Sequence, residues 1–511
     1  MIDVLLAHSF FLRNDPKQVE KMRPYAPLGT LYAAAHLRSL GCSVALFDAM
    51  LAEGIDEYVE LLDRHRPKVV ALYEDQFNFL NKMCLSHARQ AACRMSALAR
   101  ERGARVVAAG AEITDHPEIY FPHGVEYALL GEADHTLAEL VPALLRRSGA
   151  AQLTATASPI TAIAGLAWPD PDAPGGVARS AARPPERQPD VFPFPAWDLL
   201  DVERYRAAWR RAHGTFSLNM VTTRGCPFHC NWCAKPIWGQ RYAMRSAASV
   251  ADEMALLKRT LKPDHLWFAD DIFGLQPRWV AELAAAVEER DAAIPFMIQS
   301  RVDLMTKRAV EGLARAGCAE VWLGVESGSQ KILDAMDKGT RAEQIPVARE
   351  RLRSAGIRAC YFLQLGYPGE TFEDILTTAR LVRDTLPDDI GVSVSYPLPG
   401  TKFHAMVNSH LGEKDRWDDS SDLAMMFQGT YQTPFYRELH RLLHRELDLR
   451  REAAGNGSPA HAAGLAEALG AVAARWSELE AAEAGHRSLH PTAIEKDYGT
   501  PAAPDLSRTW N

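Results

Sequence analysis

Cysteine is scarce in this chain, eight in 511 residues, far too sparse for a disulfide scaffold. Long apolar runs are missing too. No window approaches about 18 uncharged apolar residues, so no membrane-spanning helix is expected. Positive charge is not in excess: 57 Lys and Arg stand against 65 Asp and Glu, a formal net charge of −8. That balance argues against a broad electrostatic grip on nucleic acid or anionic lipid. No Gly-x-Gly-x-x-Gly occurs, so a nicotinamide reading has no support. The opening Met1 to Ala7 is apolar but lacks a basic flank and carries Asp3. It reads as a first strand, not a signal peptide.

What is present is ordinary globular composition, 47% hydrophobic and 24% charged, with ample material for a core. Cys42, Cys84, Cys93, Cys318 and Cys360 stand singly in apolar surroundings and read as small buried hydrophobes. The other three are bunched as Cys226-x3-Cys230-x2-Cys233. With eight cysteines in 511 residues, this spacing arises by chance about 0.002 times per chain. No fourth cysteine lies nearby, and a closed structural zinc site normally takes four ligands. Three thiolates in one loop suit a cubane iron–sulfur cluster with one iron left open. His229, between two of the cysteines, is the alternative that would complete a zinc site.

Residues 1–150 alternate between strand-like and helix-period runs. The strands are expected at Val4–Ala7, Ser43–Phe47, Val69–Tyr73, Ala104–Ala109 and Tyr127–Leu130, with helices at 31–40, 55–65, 80–102 and 136–145. Such alternation predicts a parallel, doubly wound, Rossmann-like sheet with ligands at the carboxyl ends of its strands. The loops expected there carry Pro27-Leu28-Gly29, Gly110 to Asp115, and Gly131-Glu132-Ala133. Residues 151–210 are rich in turn formers and read as a linker. Residues 211–401 alternate six times more, which predicts a partial (β/α)6 barrel with its chemistry at the carboxyl ends of the strands. The unusual motifs fall at those ends: the cysteines, then Asp270-Asp271, Ser300-Arg301-Val302-Asp303, Gly324 to Gly328, Gly366 to Thr371, and Pro397 to Thr401. Residues 402–511 read as a helical region. Tyr436, Leu439, Leu442, Leu443 and Leu447 share one helix face, as do Leu465, Leu469, Val472, Trp476 and Leu479. The last fifteen residues look frayed.

Cys226-x3-Cys230-x2-Cys233, with Trp232 just before the last cysteine and the whole motif after the first barrel strand, resembles the signature of radical S-adenosylmethionine (SAM) enzymes. A doubly wound N-terminal domain, a linker closing in Phe194-Pro195-Ala196-Trp197-Asp198 and then the barrel resemble the cobalamin-binding class of that superfamily. Asp418-x3-Asp422, the run from Leu423 to Thr430, and Phe435-Tyr436-x2-Leu439-His440 are similar to the anaerobic magnesium-protoporphyrin monomethyl ester cyclase subgroup. The loop from His8 to Pro27 departs from the cyclase itself. The resemblance covers about residues 1–450.

The resemblance implies a [4Fe–4S] cluster on Cys226, Cys230 and Cys233, whose open iron chelates SAM and supplies the electron that cleaves it. It places Glu326 on the SAM ribose, Arg301 near the carboxylate, and Ser327 and Gly328 at a close backbone approach. The loop opened by Gly366 would lie along the adenine. The Gly-Gly-Glu usual after strand two is replaced by Ala269-Asp270-Asp271, so Asp270 or Asp271 takes the SAM amino group. Arg224 and Lys235 flank the cysteines and are placed to offset cluster charge. The Asp-x-His-x-x-Gly of histidine-on cobalamin proteins is absent; the nearest fit, Asp63-Arg64-His65, lacks the glycine and lies before strand three. Cobalamin would then be held without a protein histidine on cobalt, its corrin touching Pro27, Leu28, Gly29, Glu74, Asp75, Gly110 and Glu132.

The implied function is functionalisation of an unactivated carbon of a small-molecule substrate. C-methyl transfer comes first, anaerobic oxidation or cyclisation second. A non-catalytic cobalamin or light sensor is a third reading, opposed by the three intact cysteines. A reductant such as flavodoxin or ferredoxin is the implied protein partner, and an oxygen-labile cluster implies the reducing cytoplasm.

Overall fold

The computed structural model describes residues 1–78, 80, 85–147, 159–235, 237–411, 423–455, 459–489 and 491–492. The chain divides into two compact units. The first takes Met1–Pro227, Lys235–Gln299 and Arg315–Cys318; the second takes Phe228–Ala234, Ser300–Ala314 and Ala319–Asn511.

The first unit opens with five parallel strands, β1 (Val4–Ala7), β2 (Val44–Phe47), β3 (Val69–Tyr73), β4 (Arg105–Ala109) and β5 (Val125–Leu129). Two antiparallel strands extend them, β6 (Leu166–Pro169) and β7 (Val177–Arg179), in the order β2-β1-β3-β4-β5-β6-β7. All five residues of β3 are buried, as expected of a parallel strand covered on both faces. Helices Leu28–Ser39 and Asp134–Arg147 pack one face, and Ile55–His65 and Ser86–Glu101 pack the other. That is the doubly wound arrangement, with its topological switch between β1 and β3. The hairpin β6–β7 lies inside the stretch read above as linker. Its strands have four and three residues, too few for a period, and its tip holds the Pro- and Gly-rich run 169–176.

The first unit also holds β8 (Ser217–Met220), the short antiparallel pair β9 (Thr223–Arg224) and β10 (Ala243–Met244), β11 (His265–Phe268) and β12 (Phe296–Ser300). β8 and β11 run parallel with Ser217 beside His265, and β11 and β12 run parallel with Leu266 beside Phe296. Helices Ala247–Thr260 and Pro277–Glu289 follow β10 and β11.

The second unit holds β13 (Cys318–Glu326), β14 (Arg358–Leu365) and β15 (Asp389–Val394), all parallel. The register of β13 on β14 slips between Gly324 and Glu326. Helices Gln330–Ala335, Gln344–Ser354 and Phe372–Thr385 intervene. The C-terminal helix Thr433–Ala453 buries Tyr436, Leu439, Leu442, Leu443 and Leu447, the face its spacing predicts. Helix Pro459–Ala481 packs against it, with the Trp476 indole donating to Glu446 at 2.8 Å. Asp418, Asp422, Cys84 and the last fifteen residues lie outside the described residues.

Candidate functional site

The cysteine loop begins in the first unit. Asp270, at the end of β11, accepts from the backbone of Thr222 at 2.7 Å, its hydroxyl at 2.5 Å and the backbone of Thr223 at 2.8 Å. Burial pushes its pKa up to about 6, against these hydrogen bonds. Asp270 is therefore the post that holds the chain entering the loop, and its carboxylate is engaged rather than open to an amino group. Its neighbour Asp271 is exposed. Gly225 has φ +79°, and a Cβ there would collide with the Arg241 carbonyl, so only glycine fits this turn. Lys235 donates to the carbonyl of Cys226 at 3.2 Å.

Arg224 takes another role than offsetting cluster charge. Its buried guanidinium pairs with Glu132 and, at 3.0 Å, with Asp134, and lies 4.2 Å from the Phe192 ring centre. Glu132, expected at a corrin, is thereby consumed: one oxygen meets Arg224 and the other accepts from the Glu186 backbone at 2.5 Å. A buried carboxylate needs such partners.

Cys230 and Cys233 belong to the second unit, where Asn231 fastens their segment. Its backbone N–H donates to Met336 at 3.0 Å and its side-chain amide to Ala335 at 2.8 Å. Its side-chain oxygen accepts from the Tyr367 hydroxyl and its backbone carbonyl from Phe403, each at 3.0 Å. Four hydrogen bonds on a residue between two cysteines pre-set the loop. Sequence reasoning missed Asn231, because an asparagine between cysteines carries no signal of its own.

Glu326 closes β13 with φ +60° and is buried. One carboxylate oxygen meets the Lys338 amine at 2.7 Å. Gly324 makes the room, since a Cβ there would stand 2.6 Å from Lys338 Nζ and 2.9 Å from Glu326 Oε1. The Ser327 hydroxyl accepts from the backbone of Ser329 at 3.1 Å and lies 3.2 Å from the Thr378 hydroxyl. Arg301, expected near a carboxylate ligand, is held by one of its own. It grips Asp303 through two contacts of 3.0 Å, donates to the Lys338 carbonyl at 2.7 Å, and lies 3.7 Å over the Phe228 ring. That makes Arg301 a brace under Lys338 and Phe228.

Gly366 opens the loop after β14 at φ +75°, and its N–H donates to Glu370 at 2.6 Å. Burial pushes the Glu370 carboxyl up to about 8, against that hydrogen bond. Among the described residues its second oxygen has no hydrogen-bond partner.

At the switch point of the N-terminal sheet, His8 follows β1 and is buried. Its Nε2 lies 2.8 Å from Asp48 and accepts from the Ala49 backbone at 3.0 Å, and Asp48 accepts from the Tyr205 hydroxyl at 2.7 Å. Glu74 accepts from the Ser9 backbone at 3.1 Å. Asp75 accepts from the backbones of Gly29 at 2.9 Å and Phe77 at 3.1 Å. The expected loop Pro27-Leu28-Gly29 is instead the start of a helix: Leu28 is fully buried and Gly29 is capped by Asp75. Gly110 stands where a Cβ would be 2.9 Å from the Glu74 Cβ. His65 closes its helix, and its carbonyl accepts from Ile2, at the amino ends of β1 and β3.

Among the described residues, no three or more His, Cys, Asp and Glu side chains surround a common point. The donor chemistry nonetheless fits an iron–sulfur cluster. Cys226, Cys230 and Cys233 are half-buried, whereas Cys42, Cys93, Cys318 and Cys360 are buried. Thiols are the donors such clusters take. No helix among the described residues is long and apolar enough to cross a membrane.

Residues 220–382 match the Radical SAM superfamily model. The chain thus carries a radical SAM domain, the domain of an enzyme. Over 311 residues it is 26% identical to an uncharacterized methyltransferase of Pyrococcus horikoshii, covering 60% of this chain and 64% of that one. Over 386 residues it is 25% identical to the anaerobic magnesium-protoporphyrin IX monomethyl ester cyclase of Rubrivivax gelatinosus, covering 73% and 65%. The chain thus spans just under two thirds of the length of these relatives. Two solved structures share its fold. The radical SAM methyltransferase TsrM of Kitasatospora setae, with cobalamin and a [4Fe–4S] cluster bound, matches with a TM-score of 0.62 at 19% identity, covering 80% of this chain and 74% of that one. The cobalamin-dependent SAM radical enzyme OxsB, with aqua-cobalamin and SAM bound, matches at 0.66 and 16%, covering 94% and 71%.

Proposed function

We propose that this chain is a cobalamin-dependent radical SAM C-methyltransferase acting on an unactivated carbon of a small molecule. The observation that carries the reading is the three-thiol loop after β8 in a chain that also has a doubly wound domain with its topological switch between β1 and β3. When bound, a [4Fe–4S] cluster on Cys226, Cys230 and Cys233 supplies the electron that cleaves SAM, and cobalamin supplies the methyl group.

The chain's own residues bind and orient. Asn231 holds Cys230 and Cys233 in one segment, and Asp270 and Gly225 shape the approach to Cys226. Glu326, paired with Lys338, accepts from a ribose hydroxyl. The space beside the glycines after Glu326 is taken within the chain: a Cβ at Gly328 would stand 2.9 Å from Thr377 and Thr378, and one at Gly366 3.1 Å from Met425 and Tyr436. Residues 1–150 take the corrin at the β1–β3 switch point, with Glu74, Asp75 and Gly110 at its floor. His8, its Nε2 engaged by Asp48 and the Ala49 N–H, would be held away from cobalt. Residues 151–210 join that domain to a barrel over 211–401, which the helical region 402–511 follows in the chain. A flavodoxin or ferredoxin in the cytoplasm delivers the electron.

The cyclase likeness supports a second reading, anaerobic oxidation or ring closure. Anaerobically reconstituted protein with SAM carrying a labelled methyl group separates the two. Methyl transfer gives a product heavier by the labelled methyl; oxidation gives a mass change without label. Cys230→Ala should abolish SAM cleavage in either case, and a variant that kept the cluster and cleaved SAM would sink both.

A further inference from the structure

Resting on that reading, we propose that Lys338 positions Glu326 for SAM and is the fixed cation that raises the reduction potential of the cluster. Its Nζ stands 2.7 Å from Glu326 Oε1, with the two side chains 7% and 6% exposed. A pair buried this deeply is retained at a desolvation cost that an apolar pair would avoid. The surrounding residues are arranged to keep it. Gly324 lacks the Cβ that would collide with both partners. Arg301 holds the Lys338 carbonyl at 2.7 Å, and the Lys338 N–H donates to Leu333 at 3.0 Å. The turn is bracketed by left-handed residues, Asp337 at φ +50° and Gly339 at φ +69°.

Lys338 also belongs to the neighbourhood of the cysteines. Its Nζ is 5.9 Å from the ring centre of Trp232, the residue between Asn231 and Cys233. Asn231 ties that segment to Ala335 and Met336, three and two residues before Lys338. Burial disfavours the ammonium, but the Glu326 carboxylate beside it pushes the pKa up. A cation kept out of water acts on nearby charge through a low dielectric. An electron added to a cluster on this loop is stabilised by it. The same ammonium fixes one oxygen of Glu326 and leaves the other for a hydroxyl donor.

The test is a redox titration followed by electron paramagnetic resonance on anaerobically reconstituted full-length protein, without substrate or cobalamin. Lys338→Arg should keep the wild-type midpoint. Lys338→Met should make it more negative by about tenfold in the reduction equilibrium, about 59 mV for a one-electron couple. The double variant E326Q/K338M leaves no buried unpaired carboxylate. It should fold where K338M alone does not, and its midpoint should lie below that of E326Q by the same amount. SAM added to the reduced cluster should perturb the signal with affinity reduced about tenfold or more in K338M and near wild type in K338R. A wild-type midpoint in K338M, or a midpoint in the double variant equal to that of E326Q if K338M does not fold, would overturn the proposal and leave the methyltransferase reading standing. Wild-type protein that takes up no cluster would overturn both.

Discussion

The Tyr367 hydroxyl donates to the side-chain oxygen of Asn231 at 3.0 Å, joining the loop after β14 to the segment between Cys230 and Cys233. The same hydroxyl reaches the Ala335 carbonyl at 3.0 Å. The segment that would carry two cluster ligands is thus held from two sides by residues that touch neither sulfur. Removing the asparagine side chain leaves buried donors and acceptors unmet, at a cost of about 1–3 kcal/mol. Asn231→Ala should lose that much stability in urea unfolding and retain less iron after anaerobic reconstitution and desalting. Tyr367→Phe, which removes one hydroxyl, should lose about 0.5–1.5 kcal/mol. Full iron retention in both variants would show that the fastening is irrelevant to the cluster.

Glu326 tests the SAM site. A charge-assisted hydrogen bond to a ribose hydroxyl is worth about 1.5–3 kcal/mol, roughly ten- to a hundredfold in affinity. Glu326→Gln should weaken SAM binding by that factor in equilibrium dialysis with the reconstituted protein. Unchanged affinity would remove Glu326 from the site.

Glu370 gives the pH dependence. Its carboxyl is raised from the ordinary 4.5 to about 8, because burial disfavours the charge. Between those values the native state holds a proton that the unfolded chain has released. Stability therefore falls as pH rises from about 4.5 to about 8. Asp270, raised to about 6 by burial, acts in the same direction between its ordinary 3.8 and 6. Glu370→Gln, a neutral isostere, should flatten the decline in urea midpoint from pH 5 to pH 8.5 and unfold later than wild type at the upper end. A decline as steep as that of wild type would place its cause elsewhere.

The occupied ring nitrogen of His8 leads to a spectroscopic expectation. Protein loaded with cob(II)alamin should show cobalt lines without splitting from a histidine nitrogen, and His8→Ala should leave the spectrum unchanged. Nitrogen splitting that vanished in a variant at His8, His65 or His116 would overturn the arrangement proposed for residues 1–150.

Strands β1 and β3 lie at the bounds expected from the residues alone. A parallel strand buried on both faces is an unbroken apolar run, and such runs are local. The helix Ile55–His65 is equally plain, since its period places Tyr58 and Leu62 on one buried face. The cysteine spacing is local as well, so the chemistry of the donor set could be read before any fold was known. The hairpin β6–β7 could not, because its short strands are ordered by pairing with β5 rather than by any period of their own.

The sequence by itself determined the alternation of strands and helices, the three-thiol motif and the acid that ends β13. Tertiary structure decided which polar side chains remain available to a ligand. Arg224, Glu132, Asp270 and Arg301 are all compatible with a binding role when read along the chain. Folding satisfies each of them internally, because a buried charge must find a partner. Asn231 and Lys338 gain their roles the same way. Asn231 is tied to Tyr367 across 136 positions, and Lys338 meets Glu326 across 12, beside Gly324. Those distances in sequence carry no local pattern. Burial and hydrogen-bond satisfaction are properties of the packed chain, and only packing could assign them.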